Sequence, residues 1–205
     1  MKPILIVFCK NPVKGKVKTR LAKKIGENQT LHIYNSLIKK TFSVVKKLNQ
    51  DKAIFYSDFI PKNAPWANVF EYNNLQKGKS LGERMENAFI WAFESKFNPV
   101  VIIGTDLWNL EKSDINNSFN KLNSYDVVIG PSIDGGYYLL GIKENQLNIF
   151  KNIPWSTNRV LKETLKKLKN KRVFLLKEKN DIDNWKDLKN CKDLFDEIVI
   201  NKNSL

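Results

Sequence analysis

Residues 10–21 read KNPVKGKVKTRL. Lys10, Lys14, Lys16, Lys18 and Arg20 surround a single turn-former, Gly15, and Thr19 stands where it could cap a following helix. Exposed amides, a tight turn and a few cations are the parts a phosphate cradle needs, and a helix N-terminus favours an anion. The stretch is not a Walker A loop: Gly15-Lys16 is followed by Val17, and Lys10 stands where that motif opens on glycine. The competing reading is a solvated basic loop, since 31 of the 35 basic residues are lysine.

The acids offer a second chemistry. Asp106 closes Gly104-Thr-Asp, directly after an apolar run, and Asp181-Ile-Asp183 places further carboxylates late in the chain. One or two carboxylates completed by substrate phosphates are how proteins usually hold Mg²⁺. Asp106 and Asp183 are therefore candidate metal ligands; a turn and a helix N-cap are their structural alternatives. Asp134-Gly-Gly offers a candidate general base, Asp134, with Gly135 and Gly136 allowing a ligand close to the backbone. An ordinary Asp-Gly hairpin turn is the alternative. Trp155 reads either as a stacking surface for a sugar or base, or as core.

Composition narrows the field. One histidine, His32, and two cysteines, Cys9 and Cys191, exclude the usual Cys/His zinc sites and a disulfide framework, so any metal is expected to be Mg²⁺ or Mn²⁺ on oxygen. No apolar run reaches membrane-span length and no signal-peptide pattern opens the chain, which reads as cytoplasmic. The net charge is +14, and residues 1–50 hold twelve basic residues against Glu27 alone, or +11. Such a segment attracts polyanions. Nucleic acid is the less favoured of these, because no RRM, KH or helix-turn-helix signature accompanies the charge.

These residues need elements to position them. Pro3–Cys9 and Val100–Ile103 are apolar and β-branched, as in strands buried on both faces of a parallel sheet. Strands are also expected at Ala53–Ser57, Ala67–Tyr72, Asp126–Gly130, Tyr137–Ile142 and Arg172–Leu176. Helical spacing runs through Leu31–Val45 and Leu81–Ser95. Further helices are expected after caps at Ser113, Ser156 and Asp183. The alternation predicts a three-layer α/β/α sandwich with a mostly parallel sheet, one domain over 1–200 and a frayed tail at 201–205. The short Asp134-Gly-Gly link implies one antiparallel strand. Ligands of such sheets bind beyond the strands' carboxyl ends, so the loops after Cys9, Gly104, Pro131 and Leu176 should carry the site.

In order along the chain come KNPxxGxxKTRL, LGERM (81–85), Gly104-Thr-Asp106, GPxxDGGYYLxG (130–141), IPWST (153–157) and Asp181-Ile-Asp183. Over residues 3–190 the chain resembles the radical-SAM/selenodomain-associated transferases, a glycosyltransferase-like family. The resemblance implies the GT-A fold of nucleotide-diphospho-sugar transferases, which nucleotidyltransferases share. It implies Lys18 and Arg20 on nucleotide phosphates, Asp106 and Asp183 on metal, and Gly82 and Arg84 near the base or sugar. Leu107-Trp108 departs from the family's Cys-Pro after Gly-Thr-Asp. The expected activity is glycosyl transfer from a nucleotide-diphospho-sugar to an unknown acceptor. The alternatives are nucleotidyl transfer from a nucleoside triphosphate, nucleic-acid binding and an inactive fold member.

Overall fold

The computed structural model describes residues 1–62 and 66–196. The first apolar run forms β1 (Lys2–Cys9), with Ile4 to Val7 fully buried. The other strands are β2 (Asp51–Tyr56), β3 (Tyr72–Leu75), β4 (Phe97–Ile103), β5 (Val127–Pro131), β6 (Tyr137–Ile142) and β7 (Val173–Leu175). Among the described residues they form one seven-stranded sheet in the order β3-β2-β1-β4-β6-β5-β7. β6 is antiparallel to β4 and β5, and the remaining pairs are parallel.

The helices are α1 (Thr19–Ile25), α2 (Glu27–Val45), α3 (Leu81–Glu94), α4 (Lys112–Lys121), α5 (Val160–Lys167) and α6 (Trp185–Asn190). One face of the sheet packs Leu5, Val7 and Val101 against residues of α1, α2, α4 and α6. The other packs Ile4, Ile6 and Ile102 against α3 and the 3-10 segment Glu144–Phe150, with α5 side chains at the margin. Alternate strand residues point to opposite faces, so both faces must be covered. This is the expected three-layer sandwich.

Several local expectations fail for identifiable reasons. Ala67–Val69 forms a 3-10 turn and the third strand starts later, at Tyr72, because residues 72–75 are what pair with β2. Ser113 is not the cap of α4. Glu111 takes that place, its backbone N–H donating to Asp114 Oδ2 at 2.8 Å. Ser156 precedes α5 by a loop, and the helix begins after Arg159. Asp183 yields to Asn184, whose Oδ1 accepts from Lys186 and Asp187 N–H at 2.8 and 3.2 Å. Thr19 is the first residue of α1, not its cap; Lys18 holds the cap position in a left-handed conformation, φ 47°. The tail at 201–205 lies outside the described residues.

Candidate active site

The loops after β1, β4, β5 and β7 meet over one end of the sheet and line a cavity of about 740 Å³. Two buried side chains fix its rim. The Tyr34 hydroxyl, from α2, accepts from Lys10 N–H and donates to Lys10 O, both at 3.1 Å. It also meets Thr105 Oγ1 at 3.0 Å, so one phenol joins the loops after β1 and β4. Burial pushes that phenol's pKa well above its usual value, so it stays a neutral hydroxyl. Asn11, 2% exposed, donates through Nδ2 to Phe59 O at 2.8 Å and accepts from Asp58 N–H at 2.9 Å. That ties the basic loop to the segment after β2.

Charge is concentrated where these loops converge. Lys18 Nζ lies 2.7 Å from Asp106 Oδ1 and 3.8 Å from Asp183 Oδ1, and Arg20 reaches Asp183 Oδ2 at 3.1 Å. The Lys18 side chain is only 4% exposed, whereas the two aspartates are close to half-exposed. Ile182 N–H donates to Asp106 O at 3.0 Å and locks the two acid-bearing loops together. Lys179 reinforces this, donating to Asn109 O at 2.7 Å while pairing with Asp114 at 2.5 Å.

Asp106 and Asp183 offer hard oxygens to one point, which fits Mg²⁺ or Mn²⁺ completed by substrate phosphates. Among the described residues no three His, Cys, Asp or Glu side chains form a ready-made cage. Asp181 adds a third acid to the cavity. Its Oδ2 accepts from Ser132 Oγ at 3.1 Å, while its buried Oδ1 has no hydrogen-bond partner among the described residues. Burial, and then the negative charges of Asp106 and Asp134, push its carboxyl up to about 7, against the pull of Lys18.

Lys10, Lys18, Thr19, Arg20, Asp106, Asp134, Gly136, Trp155 and Asp183 all line this cavity. Gly15, Gly82, Gly135 and Arg84 do not, and each has a supporting place. Gly15 turns the basic loop beside Glu27. A Cβ on Gly82 would come within 2.0 Å of the Trp155 indole, so Gly82 is what allows Trp155 to sit there. Gly135, at φ 87°, lies where a Cβ would strike Asn158 O at 2.2 Å. Arg84 donates to Gly78 O at 3.1 Å and Gln76 Oε1 at 3.4 Å, orienting a glutamine that itself lines the cavity.

Asp134 behaves first as a turn residue, its Oδ1 accepting from Gly136 N–H at 2.8 Å. Trp155 is both core and wall, stacked on Phe150 with ring centroids 6.3 Å apart. Leu107 is buried and Trp108 packs beside the same core. Sequence reading did not single out Asn11, Tyr34 as a loop tie, Gln76 or Asn158, and it placed Met85 only on the apolar face of its helix. Asn11 stands in a loop whose sequence signal is its cations, and the helical period made Tyr34 look like simple core.

Residues 41–157 match a family described as an uncharacterised protein conserved in bacteria, DUF2064. The chain belongs to that family. Its description carries no radical-SAM association. A solved protein from Desulfovibrio desulfuricans G20, provisionally named a nucleotide-diphospho-sugar transferase, is 30% identical over 90% of this chain and 84% of its own, with a TM-score of 0.81. A 2-phospho-L-lactate guanylyltransferase from Methanocaldococcus vulcanius is 25% identical across 78% of this chain and 70% of its own length. At the level of fold alone, Rv0371c of Mycobacterium tuberculosis H37Rv, solved in complex with manganese, aligns with a TM-score of 0.52. Its identity is 9%, over 93% of this chain and 97% of the other. The Desulfovibrio and Methanocaldococcus relatives bear transferase names, and the chain carries the nucleotide-diphospho-sugar transferase-like fold. Among the described residues no helix is long and apolar enough to cross a membrane.

Proposed function

We propose that this protein transfers a glycosyl group from a nucleotide-diphospho-sugar to a hydroxyl acceptor. The observation that carries the reading is the convergence, in one cavity, of Lys10, Lys16 and Arg20 with the carboxylates Asp106 and Asp183. The lysines and Arg20 attract the diphosphate, and Arg20's guanidinium donates to its oxygens in a forked geometry that a lysine lacks. Asp106 and Asp183 would hold Mg²⁺ or Mn²⁺, which when bound supplies charge neutralisation for the leaving diphosphate.

The bond from the sugar's anomeric carbon to the phosphate oxygen breaks as that carbon bonds to the acceptor oxygen. The nucleoside diphosphate leaves with the electron pair, and the acceptor's proton passes to a base. Asp134 is proposed for that proton: Oδ1 is engaged by Gly136 N–H, which leaves Oδ2 to accept from the acceptor hydroxyl. Leu81, Met85, Tyr137, Trp155 and Val160 give the cavity a largely apolar wall that excludes water beside the sugar. Gly135 and Gly136 hold Asp134 in a turn against Asn158 and support its aim.

Kinship to the guanylyltransferase over most of the chain favours a second reading, in which the acceptor attacks the α-phosphate of a nucleoside triphosphate and pyrophosphate leaves. Incubation with nucleotide-sugars and with nucleoside triphosphates, each with Mn²⁺, separates the two. Release of a nucleoside diphosphate from a nucleotide-sugar is the expected result. Pyrophosphate from a triphosphate alone would transfer the assignment to the second reading.

A further inference from the structure

We propose that Lys18 is an internal stand-in for the divalent cation. It yields its place between Asp106 and Asp183 only when metal and a nucleotide polyphosphate arrive together. The inference rests on the reading of those aspartates as the metal pair.

Three features of the structure support it. First, the Lys18 ammonium occupies the point on which the two carboxylates converge, 2.7 Å from one and 3.8 Å from the other. Two aspartates from different loops, locked together through Ile182 N–H and Asp106 O, would repel each other there without a cation. Second, the lysine is held there by design of the backbone. Its side chain is 4% exposed, and its φ of 47° lies in the left-handed region that residues with a Cβ seldom adopt. Third, Lys18 faces the same cavity as Lys10, Lys16 and Arg20, so phosphate oxygens bound there are within its reach as replacement partners.

The consequence follows from electrostatics. A divalent ion entering alone meets a buried ammonium at its own binding point and must first displace it from the Asp106 and Asp183 carboxylates. An ion entering with a polyphosphate gives the ammonium new partners at once. Metal and nucleotide then strengthen each other's binding by the same factor, as linkage requires.

The test reads binding rather than turnover. Mn²⁺ is titrated into the full chain by electron paramagnetic resonance, and GDP, CDP and UDP are titrated by calorimetry with and without Mn²⁺. The wild type should show Mn²⁺ alone binding weakly, and at least one diphosphate binding about 10-fold or more tighter when Mn²⁺ is present. Lys18→Met should bind Mn²⁺ alone about 10-fold or more tighter than the wild type and lose most of the coupling. Tight binding of Mn²⁺ alone to the wild type, equal to that of Lys18→Met, overturns the stand-in role while leaving the metal pair intact. A Lys18→Met chain as indifferent to Mn²⁺ alone as the wild type also overturns it. Absence of Mn²⁺ binding in every combination removes the metal pair itself, and this inference with it. If Lys18→Met does not fold, Lys18→Gln takes its place, and the wild-type titration alone still decides against the proposal when Mn²⁺ binds tightly without nucleotide.

Discussion

At Asp181, burial and neighbouring acids act in the same direction, and the sign of the consequence is fixed. Its carboxyl is raised from 3.8 to about 7 in the folded protein, so its neutral form is the one the fold prefers. The stabilisation is complete below about pH 3.8 and is lost as pH rises through about 7. Asp181→Asn should therefore match the wild type near pH 4 and exceed it at pH 8, by at most ~4 kcal/mol, in metal-free urea denaturation. Asn keeps an acceptor for Ser132 Oγ, so the comparison isolates the charge. A second residue-scale expectation concerns Asp106. Asp106→Asn should weaken Mn²⁺-assisted nucleotide binding ~10–100-fold by calorimetry without changing the far-UV spectrum. The types and positions of these acids were legible in the sequence: Asp106 comes directly after an apolar run, and Asp181 and Asp183 come in the loop after the last strand-like segment. Their partners were not: that the Lys18 ammonium joins Asp106 to Asp183 depends on a left-handed residue, and no spacing rule announces one.

Among the elements, loops are aimed by side chains borrowed from helices and neighbouring loops. Tyr34 of α2 holds Lys10 and faces Thr105, so Tyr34→Phe removes one hydroxyl from two loops. Its expected effect is ~1–3 kcal/mol less stability in urea denaturation and weaker nucleotide binding. Gly82 lies on α3 against the Trp155 indole. Gly82→Ala should expel that ring, which a change in tryptophan emission and in ligand affinity would report. Strand and helix identities were largely readable, since β1 and β4 are continuous apolar, β-branched runs and α3 carries a clear helical period. Helix starts were not. Ser113, Ser156 and Asp183 each offered a capping oxygen, but Glu111 and Asn184 hold the cap positions of α4 and α6, and Arg159 that of α5. Tertiary contacts such as Lys179 with Asp114 select among several locally acceptable starts.

For the whole molecule, the sheet order brings β1 and β4 side by side, and that adjacency brings Arg20 and Asp106 to one cavity. Alternating strands and helices predict the layers, and the Asp134-Gly-Gly link predicts the antiparallel strand. The crossing order that inserts β6 between β4 and β5 emerges only from the pairing itself. The net charge of +14 should make binding of any polyphosphate fall with added salt, while a nucleoside should be nearly indifferent. The most direct test of the central claim is a calorimetric comparison of GDP, CDP and UDP with their nucleosides, in Mn²⁺, for the wild type and a Lys16→Ala, Arg20→Ala double variant. In the double variant the preferred diphosphate should lose about 10-fold or more in affinity while its nucleoside is unaffected. Equal losses for both ligands, or no loss for either, would contradict it.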